Sequence, residues 1–282
     1  MKQASRKLTI RKILFYTLVI VLTFVIVVPF LWMLLLSFKS DNEIVNMPLS
    51  WPESFRFDNY ARAFEVLDFP LMYRNTFIIV VFTQIFSLLF TFMSSFAISR
   101  MTFKNGRTPD RFYLYFLLGL AVPVYILIFP IYRMNIIFDT LDTYLGLIIP
   151  YIALSVSFNT LLFVGFLRGF PKEIEEAAVI DGCGLYRLCL TVVAPIMKSV
   201  FVTVTIFNVI YVWNEFPLAV TFISDTSKYT ISLMASMFKG KYSIDYSGID
   251  AASVMIIIPQ LVFYAIFQKY IISGMTEGAV KG

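Results

Sequence analysis

Four stretches of the chain, residues 13–38, 75–99, 112–132 and 143–167, run for 21 to 26 residues without a single charge. A helix of about 20 residues crosses the hydrocarbon core of a bilayer, so each stretch is long enough to span it. A fifth window, 199–224, is interrupted only by Glu215. A sixth, 251–270, is uncharged through Gln268 and is extended by Lys269, whose long side chain can snorkel to the interface. These runs lack the apolar–polar alternation of barrel strands, and in lipid a backbone must satisfy its own hydrogen bonds, which leaves helices. The expected fold is all-α: a polytopic membrane helix bundle with six transmembrane helices. With 59% hydrophobic residues, 30 Phe among 282 and only 15% charged, the composition is that of a bilayer protein.

Orientation follows from the basic residues flanking these runs. Lys and Arg number 15 in the N-tail (1–12), loops two and four and the C-terminal end, where Lys269 at the span edge is counted with Lys281 of the C-tail (274–282), against 8 in loops one, three and five. The positive-inside bias therefore places both termini of the 13–273 membrane domain in the cytoplasm. The N-tail carries Lys2, Arg6, Lys7, Arg11 and Lys12 and no acid. A secretory signal has an apolar core of roughly 7 to 15 residues and a small-residue cleavage site; the 26-residue run after Lys12 has neither and is expected to stay. The net charge of +5 belongs to span ends and forms no stripe, so it gives no reason to expect a nucleic-acid partner.

Several chemistries are excluded. The chain has no His, which removes His-based triads and His-ligated metals or haem. It has no G-x-x-x-x-G-K-[ST], so it carries no P-loop of its own. Cys183 and Cys189 match no zinc or thioredoxin spacing and read as structural thiols. No catalytic residue, metal ligand or cofactor site is expected. An ion-coupled secondary transporter is an alternative, but the chain has no internal repeat and only one mid-span acid.

The loop at 168–198 is unlike the spans around it. Pro171 suits the first position of a helix, Glu173, Glu175 and Glu176 complement the helix dipole, and Gly182 suits a left-handed stop. These signals predict a helix of about three turns, too short to cross a bilayer. On it Ile174, Ala177, Ala178 and Asp181 share one face, kept narrow by two alanines and able to enter a cleft in another protein. An ordinary interfacial helix fits the same pattern.

Other segments leave alternatives open. Residues 38–74 form the longest extramembrane segment, expected to hold short helices at the outer mouth or to be an amphipathic connection. Pro123 and Pro130 can split the third span. Within the fifth, Glu215 is the costliest residue to place in lipid. With Asn208, Tyr211, Trp213 and Asn214 it reads as the lining of a solute pathway, aromatic and amide groups being suited to neutral sugars, or else Glu215 satisfies a broken backbone near Pro217 or pairs with a residue of a partner subunit.

The run Glu176-Ala177-Ala178-x-x-Asp181-Gly182 followed by Pro195 resembles the EAA loop of binding-protein-dependent ABC importer permeases. Cys183, Ala194 and Ser199 depart from that family's usual Ala, Leu and Pro, which bears on packing after the helix and not on the helix itself. Asp58-Asn59-Tyr60, Ala97-Ile98-Ser99-Arg100, Phe170-Pro171-Lys172-Glu173, Trp213-Asn214-Glu215-Phe216 and the tail from Gln268 to Gly282 narrow the resemblance to the maltose-type carbohydrate permeases.

The resemblance implies a type I ABC importer permease fold in a bacterial inner (cytoplasmic) membrane. It implies a heterodimer with a homologous second permease, an ATPase dimer that binds ATP and Mg on the cytoplasmic side, and an extracytoplasmic solute-binding protein delivering a sugar. Glu175, Glu176, Ala177, Ala178, Asp181 and Gly182 would then contact the ATPase as a coupling helix, and the tail, through Gly278 and Lys281, would reach the ATPase interface. Transport would proceed by alternating access. A permease for another small solute would share all these features.

Overall fold

The computed structural model describes residues 2–238, 240 and 244–279, with side chains described over 11–238, 240 and 244–268. Among the described residues the fold is helical and contains no β-strand. In chain order the helices are α1 (Lys2–Leu36), α2 (Asp41–Asn46), α3 (Asp58–Val66), α4 (Phe69–Arg100), α5 (Thr108–Leu118), α6 (Val124–Ile137), α7 (Leu145–Gly169) and α8 (Glu173–Ile180). Beyond these come α9 (Leu185–Arg187), a π-helical turn (Leu188–Val193), α10 (Ala194–Ile196), α11 (Lys198–Asn214), α12 (Pro217–Phe222), α13 (Met234–Met237) and α14 (Tyr246–Ala279).

Four of these are continuous helices long and apolar enough to cross a bilayer: Arg11–Leu36 within α1, α4, α7, and Tyr246–Gln268 within α14. The third and fifth expected spans are instead broken. Thr108–Ala121 and Val124–Ile137 meet at 101°, and Leu185–Ile196 and Lys198–Asn214 at 78°, so six crossings result only if each bent pair counts as one. The causes are local. Pro123 has no N–H to donate and pushes Val122 into the extended region (φ −89°, ψ 115°), after which α6 starts afresh, whereas Pro130 is accommodated inside α6. Pro195 comes just after the π turn, where Ala194 N donates to Cys189 O, five residues back. The fifth run does not continue to residue 224: it stops at Asn214, and Pro217 opens the separate helix α12.

The chain forms two compact units. In the larger (69–233 with 260–282), α4 and α7 lie along each other with α11 beside them. One apolar cluster joins Ile79 and Val80 of α4, Leu147 and Tyr151 of α7, and Leu218 and Phe222 of α12. A second, at the α8 end, joins Phe92 and Phe96 of α4, Phe163 and Leu167 of α7, and Leu188, Met197 and Val200. Between them lies a polar layer. Ser87 Oγ meets Ser155 Oγ at 2.5 Å, Asn159 Nδ2 donates to Ser87 Oγ (2.8 Å), and Gln84 Nε2 donates to Thr205 O (2.8 Å). In lipid the hydrophobic effect does not draw apolar helices together, so small residues and hydrogen bonds of this kind, worth about 0.6–2 kcal/mol each, set which helices pair.

The smaller unit (1–68 with 234–259) is tied together by polar contacts after α1. Lys39 is fully buried, and its Nζ donates to Met47 O (2.8 Å), Pro48 O (3.1 Å) and Ser50 Oγ (3.3 Å). Asn59 Nδ2 donates to Ser37 O and Lys39 O. Arg62 reaches Asp245 (3.6 Å) and Ser247, and Ser247 N donates to Asp41, tying the start of α14 to α2 and α3.

Buried Glu43 completes a capping box with Ser40 at the start of α2. Its carboxylate accepts from Glu53 N, Ser40 Oγ and Ser40 N, which pulls its pKa from 4.5 down to about 2, the Glu53 bond contributing most. With the folded pKa below the unfolded one, the folded chain holds fewer protons between those values. The stabilisation is therefore complete above pH 4.5 and is lost as pH falls toward about 2. Acid unfolding of Glu43→Gln in detergent is expected to lose part of the pH dependence seen in the unsubstituted chain across that window. A second expectation concerns Gly146, where a Cβ would overlap the backbone oxygen of Thr140. Gly146→Ala should lower thermal stability by about 1–3 kcal/mol, because backbone must shift to admit the methyl.

Candidate functional site

The acidic segment after α7 folds into α8, eight residues long, so it makes about two turns where three were expected. The helix begins at Glu173, with Pro171 and Lys172 outside it, and Glu173, Glu175 and Glu176 occupy its first turn. Gly182 takes φ +79°, Gly182 N donates to Val179 O, and Cys183 N donates to Ala178 O. This pair of bonds is a Schellman stop, and it requires the left-handed backbone that glycine adopts without strain.

Outward and inward faces divide differently from the expected grouping. Ile174, Glu176, Ala177 and Asp181 are exposed, whereas Ala178 packs against the second apolar cluster and Glu175 is buried. The inward turn of Glu175 has a specific cause. Arg100, the last residue of α4, places Nε 2.7 and 2.8 Å from the two carboxylate oxygens of Glu175 and donates from Nη2 to Phe170 O (3.3 Å). Both side chains are nearly dry, 7% and 8% exposed. The sequence reading named Arg100 only within the Ala97–Arg100 segment and did not pair it with Glu175. The signal for that pairing was a lone cation closing a charge-free run, opposite a loop with more acids than one outward face can use.

Beside this pair lies an open groove of about 450 Å³, lined by Phe96, Arg100, Lys172, Glu176, Ile180 and Leu188, among others. Ile180 is 85% exposed, and Val179, Leu185 and Tyr186 are exposed as well. The acidic helix therefore stands in an apolar surround, a surface of the kind that protein partners cover. Cys183 packs against the second cluster and Cys189 is one of its buried members; both are free thiols.

The residues expected along a solute pathway are not brought to one open face. Asn208 is buried, its Nδ2 3.4 Å from Gln84 Oε1. Trp213 lies against Tyr73 with ring centroids 5.7 Å apart and the rings tilted by 45°, and its buried Nε1 makes no hydrogen bond among the described residues. Tyr211 and Asn214 are exposed; Asn214 Nδ2 donates to Ile210 O, and its Oδ1 accepts from Gln260. Glu215 is buried at the gap between α11 and α12. There it accepts hydrogen bonds from Leu218 N (2.8 Å), Ala219 N (3.1 Å) and Tyr151 Oη (2.6 Å). The carboxylate thus supplies α12 with the cap that its broken backbone needs, and Tyr151 ties it to α7.

At the far end, α14 continues as helix through Gly274 and Gly278 to Ala279, where a tail was expected from residue 274. Lys281 lies outside the described residues.

A bundle of apolar helices, interrupted by proline and glutamate breaks and bearing one short outward acidic helix, defines a multi-pass membrane permease fold. The solved structure of a bacterial ABC transporter that imports the acidic polysaccharide alginate shares that fold, with a TM-score of 0.78 over 93% of this chain and 96% of that one at 21% identity. The profile described as the binding-protein-dependent transport system inner membrane component matches residues 91–277. The chain belongs to that family. The diacetylchitobiose uptake system permease protein of Streptomyces coelicolor is 32% identical over 268 residues, covering 94% of this chain and 88% of that protein. The trehalose/maltose transport system permease protein of Thermococcus litoralis is 29% identical, covering 98% and 99%.

Replacing Glu215 by Ala strands three buried donors and should cost about 3 kcal/mol or more of stability, while Gln, which keeps one acceptor oxygen, should cost about 1–2 kcal/mol. Thermal unfolding of the detergent-solubilised variants measures both, and equal effects would contradict the capping role.

Proposed function

We propose that the chain is one permease subunit of an ATP-driven importer of oligosaccharides or related sugar derivatives. It forms the translocation pathway with a homologous second permease and takes its driving force from a cytoplasmic ATPase dimer that holds the ATP and Mg. The observation that carries the reading is α8: a two-turn acidic helix with Glu176 and Ala177 outward, stopped at Gly182 and rimmed by exposed Val179, Ile180 and Tyr186. Narrow, charged and apolar-edged, it fits a cleft in a soluble partner better than a lipid surface.

In the working assembly α8 is gripped by the ATPase, and closure of the two ATPase subunits moves it. The motion passes into the bundle, which opens outward toward a loaded solute-binding protein and then resets inward on hydrolysis. Both termini are cytoplasmic, on the side of α8. The carbohydrate class is supported by the family and by the sugars named for the diacetylchitobiose and trehalose/maltose permeases. Tyr211 and Asn214 are the exposed pathway candidates in this subunit, while the remaining contacts belong to the partner permease. The C-terminal end of the chain, Gly278 in the last turn of α14 together with Lys281, is assigned to the ATPase interface.

The test is co-purification and uptake. A tagged chain expressed with its chromosomal neighbours should bring down an ATPase and a second permease. Membrane vesicles should take up labelled maltose, trehalose or diacetylchitobiose only with ATP and binding protein present. Glu176→Lys and Gly182→Arg should each lower ATPase recovery by about tenfold or more, the effect of losing one central contact of about 1.4 kcal/mol. Uptake driven by an ion gradient, with no ATPase bound, would overturn the proposal.

A further inference from the structure

We infer that Arg100 and Glu175 are a positioning pair that locks the short acidic helix to α4, so that force applied to α8 is delivered to the α4–α7 spine and not absorbed in the loop. The inference rests on the functional reading above and assigns a role to a residue, Arg100, that lies outside the docking helix.

Three observations carry it. First, the neighbouring carboxylates Glu175 and Glu176 differ in burial. Glu176 is exposed and available to a partner, while Glu175 is buried with both oxygens within 2.8 Å of Arg100 Nε. Second, Arg100 bridges both sides of the loop entry, because its Nη2 also holds Phe170 O, the carbonyl just beyond α7. One guanidinium therefore joins the end of α4, the end of α7 and the first turn of α8. Third, among the described residues the rest of α8 is held on one side, against the π-helical turn. Its outer edge borders the open groove, and Ile174, Ala177, Val179 and Ile180 are exposed. Ala178 packs inward against the second apolar cluster. A buried, hydrogen-bonded ion pair is direction-specific, and breaking it by removing one partner leaves an uncompensated charge. A helix held by packing alone could tilt under load, whereas this one is pinned to the residue that ends a 32-residue helix.

Hydrogen exchange on the complete complex, both permeases with the ATPase, in lipid nanodiscs tests the inference without knowing the sugar. Glu175→Gln keeps the side-chain shape and gives a folded comparison, and Arg100→Gln removes the other partner. In each variant the ATPase should remain bound, amides 176–181 should exchange about tenfold faster, and the change in α4 and α7 exchange on adding ATP with vanadate should shrink by about tenfold. The double variant should be no worse than either single one, since both break one interaction. Wild-type exchange at 176–181 in the single variants would overturn the inference. So would faster exchange there with an undiminished ATP response in α4, because the pair would then be a tether with no part in transmission. If the unsubstituted complex holds no ATPase or shows no response to ATP, the functional reading has failed, independently of the pair.

Discussion

Everything distinctive in this chain stems from one constraint: inside hydrocarbon, a helix can be interrupted only where the protein itself supplies the missing hydrogen-bond partners. Continuous helices such as α4 and α7 meet that condition with their own backbone. The breaks do not, and the polar side chains gather at them. Glu215 gives its two oxygens to Leu218 N, Ala219 N and Tyr151 Oη. Asn135, near the end of α6, donates to Gly146 O while its own carbonyl accepts from Thr140 N, closing the link into α7. A charge that would be costly as a passenger in lipid is tolerable as a cap.

The same logic separates the two ends of the larger unit. The cluster around Leu147, Leu218 and Phe222 surrounds the Glu215 break, and the cluster around Phe92, Phe163 and Leu188 sits under the acidic helix. The polar layer of Gln84, Ser87, Ser155 and Asn159 joins α4 to α7 and α11 between them. A hydrogen-bonded middle thus lies between a capped break at one end and the exposed acidic helix at the other.

Much of this was legible in the residues alone. Charge-free runs located three of the four continuous spans, α1, α4 and α7, and the nearly uncharged sixth window located the fourth in α14, because the energetic cost of charge in lipid is large and needs no knowledge of neighbours. Pro171, the acids after it and Gly182 located the short helix because capping is local. The breaks were only half legible. Pro123 and Pro130 look alike in sequence, yet one starts a new helix and the other rides inside one, a choice made by surrounding side chains. The role of Glu215 stood open between lining and capping until Tyr151, 64 residues away, was in place. Helix faces were least legible. Ala178 was grouped with outward residues because periodicity fixes which residues share a side, not which side faces the bundle, and Glu175 was grouped with them by the family resemblance.

The π-helical turn at Leu188–Val193 bears on how this chain can change over evolutionary time. Such a turn holds one residue more than an ordinary turn of helix, and each added residue rotates the downstream chain by about 100°. Loss of one residue between Leu188 and Val193 would let the segment relax into regular helix with its two flanks still nearly in phase, whereas a further insertion would turn the downstream chain by that angle. The stretch therefore acts as slack in the winding: it takes up one residue for which a regular helix has no place.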